Sequence, residues 1–100
     1  MLIALAVERE SLARLLADPR VALAILSGDD VALTAYGTAR VIDERIIDGV
    51  VAVEIAVERV QNHRRDTFVI DAGVRWRWTD PAAQQRDSEV RTALTRLAQR

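Results

Sequence analysis

The residues of this 100-residue chain that could do chemistry fall in four places. Arg9, Ser11 and Arg14 gather where an apolar-periodic run begins. The first amides of a helix are unpaired and carry partial positive charge, so they bind anions such as phosphate. Ser11 adds a hydroxyl and the two arginines add charge, so one reading is a phosphate pocket. The other is that Ser11 caps the helix and the arginines are solvated. Trp76 and Trp78 alternate with Arg75 and Arg77. Two ring faces with guanidinium groups between them suit a flat heterocycle and its phosphate. They suit a core or a subunit interface equally. His63 has no second His or Cys to complete a metal site and reads as a solvated loop residue. Asp29-Asp30 in a turn and Asp43-Glu44 at a strand end have the composition of an acid–base pair. Turns and strand ends are also where solvated carboxylates normally sit. No Walker loop, GxGxxG or zinc spacing occurs, so no metal is expected and no catalytic residue is assigned.

These groups need elements to hold them. Leu2–Val7 is apolar on both faces and reads as a buried strand. Ser11 caps a short helix to Ala17, with Leu12, Leu15 and Leu16 on one face. Asp18-Pro19 ends it, because proline pushes its predecessor out of the helical region. Val21–Leu26, apolar throughout, reads as a central strand, and Ser27–Asp30 as a turn. Val31–Asp43 alternates with period 2, as a half-buried antiparallel strand does. Gly37 within it marks a bulge or bend. Glu44–Gly49 is a connection. Val51, Val53, Ile55 and Val57 then face a core, with Glu54 and Glu58 outward, before a polar loop over 61–66. Phe68–Ile70 and Val74–Trp78 are two further short strands. Thr79-Asp80-Pro81 starts a final helix with Ala83, Val90, Leu94 and Leu97 in a narrow stripe. This order predicts an α+β fold built on an antiparallel sheet or barrel, in a single domain over residues 1–100.

Bulk properties narrow the function classes. Half the residues are hydrophobic and only 4% are aromatic, so the core is built of small aliphatics. The 14 basic residues, all arginine, against 15 acidic ones leave a formal net charge of −1. That balance excludes an electrostatic case for nucleic acid or an anionic membrane. The apolar start MLIALAV is too short for a membrane span or a signal peptide. Cysteine is absent, which removes disulfides and thiol chemistry and suits a reducing cytoplasm.

LLADPRVALAI, a turn, and VALTAYGTARVIDE together resemble the FMN-binding split-barrel proteins of the pyridoxamine 5'-phosphate oxidase-like superfamily. Leu15, Asp18, Pro19 and Val21 match that family's Asn-Leu-x-x-Asp-Pro-x-Val pattern. Gly37, Ala39, Val41 and Asp43 match its Gly-x-Ala/Val-x-x-x-Asp/Glu strand. ERVQNHRRDTFVIDAGVRWRW resembles its final strands, so the resemblance covers nearly the whole chain.

The resemblance implies an antiparallel split β-barrel and a homodimer with flavin in the subunit interface. It implies Arg9 and Ser11 at the FMN phosphate, beside Arg14, with Trp76 and Arg77 near the flavin ring. Arg14 stands where the family commonly has Asn, and Ser11 where Lys, Arg or Thr is frequent. The family opens with a helix and a Gly-x-Pro hairpin that contact the ring. This chain opens on the strand that follows, so the expectation is a truncated barrel or an internal start at Met1. Two functions stay open. One is a cytoplasmic FMN- or deazaflavin-dependent oxidoreductase acting on a small molecule, the flavin carrying the hydride chemistry. The other is a non-catalytic, dimeric small-molecule-binding or structural relative without cofactor.

Overall fold

A computed structural model describes residues 1–99 of the chain. The elements run β1 (Leu2–Ala6), α1 (Glu10–Ala17), β2 (Arg20–Ser27), β3 (Val31–Ile47), β4 (Val50–Asn62) and α2 (Pro81–Ala98). The class is α+β, with every strand pair antiparallel in the order β1-β4-β3-β2. The sheet is open and does not close into a barrel.

Local rules make most of these elements. Asp80 accepts a hydrogen bond from the Ala82 amide at 2.9 Å, and Pro81 occupies the first turn, so α2 starts as its sequence predicts. The hairpin between β2 and β3 turns at Gly28-Asp29-Asp30, with Asp30 at φ 64, the left-handed residue such a three-residue loop requires. The hairpin between β3 and β4 turns tightly at Asp48-Gly49, with Gly49 at φ 74. The expected connection over Glu44–Gly49 is therefore mostly strand, because an Asp-Gly pair reverses the chain in two residues. Gly37 sits at a register shift between β3 and β4. A Cβ there would come within 2.2 Å of the Ala56 carbonyl oxygen, so this close backbone approach admits only glycine.

The core lies at one end of the sheet. Leu12 and Leu15 of α1 pack with Ala39, Val51, Val53 and Ile55, and Ile3, Leu5, Val21 and Val41 join the rim. Each fully buried aliphatic here stabilises the fold by about 1.5–3 kcal/mol before the entropy of ordering it. On the opposite face α2 crosses β3 and β1, its Leu97 bordering Leu2 and Ile42.

Four expectations need correcting. β2 is an edge strand rather than a central one, with Leu26 71% exposed. β4 takes the centre because its residues from Val50 to Val53 can be buried on both faces. Leu16 is exposed, since α1 meets the sheet along the narrow line of Leu12 and Leu15. Val57 has the parity of Val53 but lies beyond the cover of α1 and is 43% exposed. Phe68–Ile70 and Val74–Trp78 are not strands: the chain from 63 to 80 runs outside the sheet. Among the described residues β2 and β1 are the edges of the sheet, and neither strand-like sequence pairs with them.

Candidate functional site

Ser11 and Arg14, three apart on α1, share one side of the helix. With Leu15, Asp18, Arg20, Val21 and Ala22 they line an open cleft of about 350 Å³. Ser11 and Leu15 also border a more apolar cleft of about 250 Å³ against Ile3, Leu5, Leu23 and Ile55. Ser11 therefore stands on a rim with charge on one side and aliphatic surface on the other, a combination that suits an amphipathic small molecule.

Ser11 is not the cap of α1. The N-cap is Arg9, with extended backbone and no side-chain capping bond, and the helix opens on Glu10. The Glu10 carboxylate already complements the positive helix end. It also holds Arg14, which donates to Glu10 Oε1 from Nε at 3.1 Å and Nη2 at 2.6 Å. Arg20 is likewise engaged, donating from Nη2 to Asp18 Oδ2 at 2.7 Å. The Arg20 side chain and its amide draw the Asp18 carboxyl down to about 2, and the pair raises Arg20 in turn. Arg9, the N-cap of α1, lines neither cleft, and among the described residues it belongs to none of the ion pairs.

Trp76 and Arg77 line neither of these clefts. Trp76 instead meets Trp78 edge to face, with centroids 5.0 Å apart, on an exposed stretch. Within one copy the two halves of the expected flavin site are thus separate.

Two arrangements carried no sequence signal. Asp30 accepts from Arg64 Nε at 2.7 Å and from the Ile70 amide at 2.7 Å. Arg64 also donates to the Phe68 and Arg65 carbonyls, so this pair pins the start of the long connection to the β2–β3 turn. Partners that distant in sequence leave no spacing to read. The second is a polar ladder across β3 and β4. Thr38 donates to Glu58 at 2.7 Å, the Arg59 guanidinium lies 4.0 Å from the Tyr36 ring centre, and Tyr36 donates to Gln61 at 3.3 Å. His63, exposed as expected, places Nε2 2.8 Å from the Thr34 hydroxyl. The ladder is legible only once the register pairs Tyr36 with Arg59 and Thr34 with Gln61.

Asp43 lies within β3 rather than at its end and caps the Arg45 amide at 3.0 Å. Among the described residues no group of three His, Cys, Asp or Glu is placed to hold a metal ion, and no helix is long and apolar enough to cross a membrane. Comparison with protein-family models, with curated proteins and with solved structures finds no match for this chain.

Proposed function

We propose that this chain is a split-barrel-like flavin-binding protein that works as a cytoplasmic homodimer, with FMN or a deazaflavin as cofactor and a small molecule as oxidoreductase substrate. The observation that carries the reading is the juxtaposition of the two family-like segments. Val21 stands opposite Gly37, and the Ala39 amide donates to the Pro19 carbonyl at 2.8 Å. The Asp-Pro motif and the Gly-x-Ala strand therefore form one local unit beside the Ser11 cleft. Arg9 offers the phosphate an uncommitted guanidinium, Ser11 a hydroxyl and the α1 start its amides. A flavin ring would need Trp76 and Arg77 from the second copy. When bound, the flavin would supply hydride transfer; the protein residues bind and orient it.

The test is an FMN titration followed by flavin fluorescence. Arg9→Ala weakens binding roughly ten- to a hundredfold, the range for a lost charged contact. Arg96→Ala, on α2 at the opposite face, leaves it unchanged. A parent that binds no FMN overturns the flavin reading.

A second reading, a dimeric relative without cofactor, draws on a specific observation. Arg14 and Arg20 are already neutralised by Glu10 and Asp18, which leaves little positive charge for a phosphate. Purified protein without yellow colour, and without FMN binding, favours it.

A further inference from the structure

A free strand-former and a free sheet edge lie side by side in this chain. Val74-Arg75-Trp76-Arg77-Trp78 alternates large apolar with charged side chains, the period of a strand, in residues that favour a half-buried pleated surface. It belongs to none of the four strands, and Val74 is 90%, Trp76 65% and Trp78 38% exposed. Next to it, Ala72 and Gly73 lie against Gly28 at the end of β2. β2 itself pairs with β3 on one side and, among the described residues, with no strand on the other. Leu26 on β2 and Phe68, Val69 and Val74 on the connection are all exposed apolar side chains. No charged side chain interrupts β2 from Val21 to Ser27. An open edge and an exposed apolar patch both invite a partner.

We propose that two copies associate by reciprocal strand addition, Val74–Trp78 of each copy pairing with β2 of the other across a two-fold axis. One symmetry operation satisfies both unpaired backbones and buries both apolar surfaces, which is why the partner is a second copy of this chain. Arg75 and Arg77 then project from the face of the added strand opposite the tryptophans. The proposal gives the mode of the dimer in the reading above and rests on that dimer, but not on its cofactor.

The test is sedimentation velocity from about 1 to about 100 µM without FMN, a range that brackets micromolar association. Tryptophan emission and amide hydrogen exchange are read on the same samples. Both tryptophans of the chain lie in the added strand, so emission reports this segment alone. The expected result is a dimer whose emission moves to the blue, and whose 74–78 amides become protected, as concentration rises. The double variant V74D/W76D and, separately, Leu26→Arg weaken association at least about a hundredfold while far-UV circular dichroism is retained. Leu16→Asp, which removes a similarly exposed leucine on α1, leaves it intact. A monomer throughout overturns the proposal. So does a dimer that V74D/W76D leaves intact, or protection of 74–78 that does not depend on concentration, which means pairing within one chain. A dimer that binds no FMN overturns the flavin reading alone, whereas a monomer that binds FMN overturns this proposal together with the homodimer it rests on and leaves the cofactor standing.

Discussion

The two ends of β4 differ more than their sequences do. At the near end Val51 is 5%, Val53 0% and Ile55 2% exposed; at the far end Val57 is 43% and Val60 55% exposed. Both ends are valine-rich strand with the same alternation. The difference is the cover. α1 lies over one face of the near end through Leu12 and Leu15, while α2 crosses β3 and β1 on the other face. The far end has instead the exposed edge of β2 and a connection without regular structure, pinned by Asp30 and Arg64. Strand sequence thus makes strand, but helices decide which part of it becomes core. The uncovered end is the part of the molecule suited to a partner.

Substitutions can break this comparison or sharpen it. The largest effect is expected from Ile55→Ala at the covered end, which should cost about 2–5 kcal/mol through lost burial and a residual cavity. Val60→Ala at the uncovered end should stay within about 0.5 kcal/mol in a dilute, monomeric sample. Urea denaturation of the two variants checks this, and equal costs would remove the distinction between the ends.

A similar contrast holds between two glycines. Gly37→Ala drives a Cβ to 2.2 Å from a carbonyl oxygen, so β3 and β4 must separate locally. The expected cost is about 1–3 kcal/mol or somewhat more. At Gly73 the nearest atom to an added Cβ is 3.5 Å away, ordinary contact, so Gly73→Ala should change thermal stability by less than about 0.5 kcal/mol. A thermal melt of both variants reads the difference directly.

Asp30→Asn tests the anchor of the uncovered end. Asn tolerates the left-handed backbone at this position, so the change removes charge rather than the turn. The Asp30 and Arg64 side chains are 30% and 26% exposed, and water screens part of their attraction. A loss of about 1–2 kcal/mol is expected, felt mainly in the connection. Limited trypsin digestion should then cut faster after Arg65, while protection of the β4 amides changes little. Uniform loosening of the whole sheet would mean that the two ends are not separable.

The smallest effect is a pH dependence at the covered end. Arg20 lowers the Asp18 carboxyl from 3.8 to about 2. A carboxyl depressed in the folded state contributes stability that is present above pH 3.8 and lost as pH falls through about 2. Acid titration of Asp18→Asn should therefore show a slightly flatter loss of stability over that window. The pair is exposed, so the change is small.

Local rules were legible in the residues themselves. The proline after Asp18 ends α1, Asp80-Pro81 starts α2, and the alternation over Val31–Asp43 and Val51–Val57 makes two antiparallel strands, since each depends on neighbours a few residues apart. The spacing of Ser11 and Arg14 likewise put both side chains in one cleft, because three residues is nearly a helical turn. Tertiary structure decided the rest. Val21–Leu26 and Val50–Val53 look equally fit for a central strand, yet only one segment can lie between β1 and β3, and β4 holds that place. Val74–Trp78 has the pattern of a strand, but a strand exists only where an edge accepts it, and that choice is made by pairing across the whole chain. The Asp30–Arg64 contact follows from the same long-range arrangement, which residue spacing does not encode.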